Sequence, residues 1–167
     1  MDMIPEPKKQ IIAARNILFG TGYFLILSLP EGWRITRSYL EPDVHSVVMR
    51  DPITWVEAGQ TDQVVFHPIR KIAVDLTILI KRGKHDFPNL KGVQVSSRGS
   101  GTVGGHAAAY FYGEVQEGLF RKKTRRTLRV CFYCPELQHT FFLYFTGTCQ
   151  ESELRELHES LAGLECH

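Results

Sequence analysis

No apolar run in this chain approaches the roughly 20 residues that cross a bilayer as a helix, so neither a spanning segment nor a membrane partner is expected. The first ten residues hold Pro5, Glu6 and Pro7 where a secretory leader would show a basic start and then an apolar stretch. A mobile arm over Met1 to Gln10 and a cytoplasmic location are the expectations that follow. Excess charge of one sign is missing too: Lys+Arg 20 against Asp+Glu 18 leaves a formal +2. Nucleic-acid binding therefore has to rest on local clustering rather than on overall balance. A nucleophile elbow, a phosphate loop and a paired-histidine metalloprotease motif are all absent from the sequence. No catalytic residue and no cofactor are assigned. Internal repeats and low-complexity blocks are lacking as well, and 167 residues at 43% hydrophobic suit one domain, residues 11–167, with a substantial core.

What the chain does have is a run of alternating strands. His106 to Val115, Arg125 to Cys134 and His139 to Thr146 each read with the period of two of a pleated strand. In the middle one Leu128, Val130 and Phe132 share a face and Arg129, Cys131 and Tyr133 share the other; in the third, Phe141, Leu143 and Phe145 oppose Phe142 and Tyr144. Both faces are largely apolar, so both need cover. Tyr23 to Leu29 is a strand closed by the turn Pro30-Glu31-Gly32, and Trp33 to Ile35 resumes it. Val44 to Met49, Ile53 to Glu57 and Val93 to Ser96 read as further strands, Gly59 to Asp62 as a turn, and Lys81 to Lys91 as a basic connection. Ile11 to Phe19 fits a short helix or a strand. From Pro68 to Arg82 the spacing of Ile69, Ile72, Ala73, Leu76 and Ile80 favours a helix, although Ile72, Val74, Leu76, Ile78 and Ile80 also alternate. At the C-terminus Thr148 and Glu151 have capping-box spacing, and Leu154, Leu157, Leu161 and Leu164 make one helical stripe that belongs on the sheet.

The segment Phe24-Leu25-Ile26-Leu27-Ser28-Leu29-Pro30-Glu31-Gly32-Trp33, the strand opening Gly104-Gly105-His106-Ala107-Ala108, two long strands after it and a closing helix together resemble the Mog1/PsbP-like group, over nearly the whole chain and in order. The resemblance implies an α+β domain whose central antiparallel sheet is sandwiched by helices, an α/β/α layering. Members of that group range from a partner-binding protein of nuclear transport to an extrinsic subunit of photosystem II, so binding is implied rather than a reaction. No functional residue of the group carries over.

Four constellations remain. Gly99-x-Gly101-x-x-Gly104 spells the dinucleotide fingerprint, but that motif needs a helix after it and an acid about 20 residues on. Here Tyr110, Phe111 and Tyr112 follow, and the acid's place falls in Lys122 to Arg126; a turn into a strand is the better reading. Arg121, Lys122, Lys123, Arg125 and Arg126 form a basic cluster that suits an RNA or acidic protein partner, with Tyr110, Tyr112 or Phe120 available for stacking, or else a charged hairpin tip that blocks edge pairing. Cys131 and Cys134 of the Cys-x-x-Cys pair face opposite ways on an extended strand, roughly 10 Å apart, and Cys149 and Cys166 bracket the last helix, more than about 20 Å from end to end. If that helix packs back antiparallel, it returns Cys166 and His167 to the turn flanked by Cys134 and His139. A Cys134–Cys166 disulfide, a metal held by Cys134, His139, Cys166 and His167, and free buried thiols are the outcomes this allows. Finally, His106, His85 and Asp86 sit near glycine-containing loops, with His106 read as a structural residue at a strand start. The expectation is a non-catalytic binding or protein-interaction module. The alternatives are a nucleic-acid or acidic-partner binder through residues 121–126, and an enzyme with an unrecognised pocket.

Overall fold

In the computed structural model the described residues are 8–16, 20–37, 53–57, 63–88, 92–118 and 120–167. Among these residues ten strands run in chain order: β1 Lys8–Asn16, β2 Gly20–Leu29, β3 Arg34–Arg37, β4 Ile53–Glu57, β5 Gln63–His67, β6 Ile72–Arg82, β7 Val93–Val103, β8 His106–Glu117, β9 Lys123–Cys134 and β10 His139–Gly147. They are followed by the helix α1, Glu151–Ser160, and a 3-10 turn, Leu161–Gly163. Seven strands form one sheet in the order β3-β5-β6-β10-β9-β8-β7, every neighbouring pair antiparallel. A smaller sheet has the order β2-β1-β4, with β1 and β4 parallel. The three strands expected between His106 and Thr146 are therefore present, each slightly longer than the alternation indicated.

Several local expectations change. The ambiguous stretch from Ile11 is strand β1, which starts at Lys8, so the arm expected over residues 1–10 loses its last three positions. The preferred helix over 68–82 is strand β6 instead. Pairing decides it, because Val74, Leu76 and Ile78 are completely buried on one face while β6 runs in unbroken register with β10 from Val74↔Gly147 to Arg82↔His139. A helix over the same residues would leave the edge of β10 without its ladder, and an unmet buried backbone group is costly. β7 extends from Val93 through Val103 and swallows Gly99 and Gly101, so the fingerprint spelling lies in a strand and a tight hairpin. The capping box does not form: Gln150 occupies the cap position with no side-chain cap bond. The expected strand at Val44 to Met49 and the turn at Gly59 to Asp62 lie outside the described residues.

The two faces of the large sheet differ. On the core face Leu128, Val130 and Phe132 of β9 and Phe141, Leu143 and Phe145 of β10 are covered by β2, through Leu25, Leu27 and Leu29, and by Leu154 and Leu157 of α1, all of them buried. Leu161 and Leu164 finish the stripe beyond the helix proper. At about 25 cal/mol per Å² of apolar area, burying these leucines is the main reason a ten-residue helix, too short to hold alone, stays in place. The second face carries Phe111, Cys131 and Phe142, with Phe87 of the β6–β7 connection set edge-on against Phe111 at 4.9 Å. Thr140 ties that connection down by donating to Gly83 O and accepting from His85 N. Among the described residues, helix lies on the core face alone, so the expected layering of helices on a central antiparallel sheet is met only in part.

Candidate metal centre

At one end of the core face three chain segments converge. The first is the β7–β8 hairpin, whose two turn residues Gly104 and Gly105 have φ of +57° and +83°, the pair of positive values that a two-residue I′-type turn requires. It launches β8 with His106 as the first residue, and the ring of His106 stacks at 3° to Phe132, 6.0 Å away. The second is the end of β9, where Cys134 is completely buried and its carbonyl accepts from Gln138 N across the turn at 2.8 Å. The third is the C-terminal segment. After the 3-10 turn, Glu165 exchanges both backbone hydrogen bonds with Ile26 of β2, at 2.8 and 2.9 Å. That pairing fixes the residues next to it, Cys166 and His167, over the sheet.

The donor atoms of His106, Cys134, Cys166 and His167 all lie within 4.8 Å of one another. Cys166 Sγ is 3.3 Å from Cys134 Sγ, 3.4 Å from His106 Nε2 and 3.3 Å from His167 Nδ1, and Cys134 Sγ is 3.6 Å from the same His167 nitrogen. With metal–sulfur bonds of about 2.3 Å and metal–nitrogen bonds of about 2.0–2.1 Å, a tetrahedron of two sulfurs and two nitrogens has edges of roughly 3.4–3.8 Å. These four separations fall within about half an ångström of that range, and the two remaining pairs, His106 with Cys134 and His106 with His167, lie within 4.8 Å. Burial, and then the hydrogen bond with Cys134, push the Cys166 thiol up from its ordinary value. Glu136 stands behind the cluster, accepting from the Cys134 thiol at 3.5 Å and lying 3.9 Å from His167 Nε2. A backbone hydrogen bond, aided by the Cys134 thiol, holds its carboxyl below the usual range. A carboxylate on the far nitrogen of a ligating imidazole is a common orienting partner in metal sites.

Three of the four residues expected from sequence, Cys134, Cys166 and His167, are thus brought together, and His139 is not. It pairs with Cys134 across the hairpin, but its Nδ1 lies 2.6 Å from Leu137 O and the ring stays with the turn. His106 takes its place. Continuing the β8–β9 register two residues past Ala108↔Phe132 sets His106 opposite Cys134, a relation that strand pairing would have revealed once the Gly104-Gly105 hairpin was placed. Cys131 and Cys149 stand apart, their thiols pushed up to about 11 by burial; Cys131 is on the second face, as the alternation required. All four cysteines are free thiols.

The basic cluster divides. Arg125 donates to Asp75 at 2.8 Å and to Glu117 at 2.9 Å, and Arg126 is half-buried on β9. Arg121, Lys122 and Lys123 are exposed. Tyr112 is buried with its hydroxyl 2.7 Å from His158 Nδ1, and Tyr110 packs edge-on against the same imidazole at 4.5 Å, so neither offers a face for stacking a base. His85 is tied at Nε2 to Arg82 O, 2.7 Å away. Asp86 lines an open cleft of about 520 Å³ together with Phe87, Arg98, Tyr110 and Phe111.

No family model matches the chain, and no curated protein matches it in sequence. Among solved structures it is similar to LpqN of Mycobacterium tuberculosis, described as involved in cell envelope biogenesis, with a TM-score of 0.52 and 15% identity over 95% of this chain and 91% of that one. The solution structure of cyanobacterial PsbP (CyanoP) from Synechocystis sp. PCC 6803 aligns at a TM-score of 0.44 and 12% identity, over 95% and 93%. The likeness to LpqN shows the fold, and the scaffold-level resemblance to Mog1/PsbP-like proteins stands. No helix among the described residues is long and apolar enough to cross a membrane.

Proposed function

We propose that the chain is a non-catalytic binding module whose Cys134, Cys166, His106 and His167 hold a zinc-class divalent ion in a closed tetrahedral site. The single observation that carries this is the convergence of four such donor atoms within 4.8 Å. Two thiolates and two imidazoles in a tetrahedron select zinc over the hard, oxygen-seeking cations. Four protein donors also leave no position for water or substrate, which is the mark of a structural site rather than a catalytic one. The ion would clamp the β7–β8 hairpin and the end of β9 to the tail that pairs with β2, so it would lock the small sheet onto the large one. The finer layering, helices on both faces, rests on the resemblance alone.

A second reading has its own support: the Cys134–Cys166 Sγ separation of 3.3 Å is short enough for a disulfide after a small rotation of each side chain. A reducing cytoplasm, the location expected from the sequence, favours the metal over the disulfide. Titrating the reduced protein with zinc against a chromophoric chelator separates the two. The metal reading expects one ion per chain, lost in Cys166→Ser. Stoichiometry near zero, with a mass two hydrogens lighter before reduction, would hand the pair to the disulfide.

A further inference from the structure

The hairpin between β8 and β9 presents an unusual tip. Gly118 has φ +116°, and a Cβ there would sit 2.3 Å from Arg121 O, so the turn closes tightly on glycine. Phe120 is 99% exposed, a whole aromatic ring in water at the apex. Arg121, Lys122 and Lys123 follow it, all exposed and without an ion pair among the described residues. The nearest acid on the strand, Glu117, is engaged by Arg125. Among the described residues the tip thus sets an exposed aromatic ring beside Arg121 and Lys122, with Lys123 opposite Glu117 on the paired strand and Lys122 bordering a cleft that Glu114 also lines.

A nucleic-acid platform needs aromatic faces along a groove or sheet, and here Tyr110 and Tyr112 both pack against His158. An acidic protein would satisfy the cations but would leave no reason for a solvated ring. We propose that this tip docks on an anionic lipid surface, with Phe120 seated at the boundary of headgroups and acyl chains and Arg121, Lys122 and Lys123 at the level of the phosphates. Interfacial binding of this kind combines apolar insertion with attraction to anionic lipid. The absence of a spanning run bears on crossing a bilayer and leaves surface contact untouched.

The test is sedimentation of the full chain with vesicles of phosphatidylglycerol and, separately, of phosphatidylcholine. Binding is expected to the first and not the second, and to fade as salt is raised. Phe120→Ala should weaken it roughly tenfold, and each of Lys122→Gln and Lys123→Gln about fivefold. Phe120→Trp should shift its emission to the blue on adding phosphatidylglycerol vesicles. All these residues are solvated, so unchanged thermal unfolding will confirm that the variants fold. Equal binding by Phe120→Ala, or retention on homopolymer RNA at salt concentrations that release the vesicles, would overturn the lipid assignment.

Discussion

Replacing Gly104 by alanine should loosen the C-terminal segment and, through it, the proposed metal centre. An added Cβ would lie 2.2 Å from Leu164 O and 3.2 Å from its carbon, and Gly104 has φ +57°. Leu164 would have to retreat by about 1 Å to reach ordinary contact. The left-handed backbone costs alanine about 1 kcal/mol. Losing the Gly104 N to Leu161 O bond and unseating Leu164, which is 2% exposed, adds about 2 kcal/mol more. Gly105 is the matched control, since it has φ +83° with nothing within 4 Å of its Cβ position. Gly105→Ala should therefore cost only the backbone share, about 1 kcal/mol. The difference of about 2 kcal/mol corresponds to roughly 4–8 °C in Tm for a chain of this size. Because Leu164 stands two residues before Cys166, zinc affinity should also fall about tenfold in Gly104→Ala, an amount equal to about 1.4 kcal/mol of the strain being relieved when the tail lets go. Thermal unfolding with and without zinc, and chelator competition, read both effects. Equal Tm and equal affinity for the two alanine variants would refute the coupling of this hairpin to the tail.

Three further outcomes follow from the packing. Leu157→Ala removes a completely buried leucine from α1 and should cost about 3 kcal/mol, roughly 10 °C by calorimetry; a change of a degree or so would mean the helix is not seated on the sheet. Glu156 accepts from Trp33 Nε1 and from both terminal nitrogens of Arg70, and the Arg70 hydrogen bond holds its carboxyl below the usual value. A depressed carboxyl contributes stability above its unfolded pKa and loses it as pH falls through the folded one. The Tm deficit of Glu156→Gln should thus be full at neutral pH and shrink below about pH 4, whereas a deficit constant with pH would contradict the pairing. His139→Ala and Cys131→Ser should leave zinc affinity within about twofold of the parent, and a tenfold loss in His139→Ala would restore that residue as a ligand.

The parts of this architecture that were legible in the sequence are those where one periodicity had no rival. Leu128 to Phe132 and Phe141 to Phe145 alternate and nothing in them fits a helix, so β9 and β10 followed directly. β6 was misread because Ile72, Leu76 and Ile80 satisfy periods of both two and near four. Only the ladder with β10, a contact between residues 57 to 73 positions apart, decides between them. The capping box failed for a related reason: Thr148 lies two residues ahead of the actual cap, and buried leucines rather than a side-chain bond anchor the helix. For the four-donor cluster, the return of the last helix was enough to bring Cys166 and His167 to Cys134. The fourth donor needed knowledge of strand order, since His106 is adjacent to Cys134 only once β8 is placed beside β9. His139 looked equivalent in sequence, but the turn carbonyl of Leu137 holds its ring.

X-ray absorption at the zinc edge of the loaded, reduced protein reads the ligand set of the proposed site itself. Two sulfurs at about 2.3 Å and two imidazole nitrogens at about 2.0–2.1 Å are expected, with one of each lost in the double variant Cys166→Ser, His106→Ala. A shell of oxygens only, or a spectrum unaltered by that double variant, would contradict that ligand set.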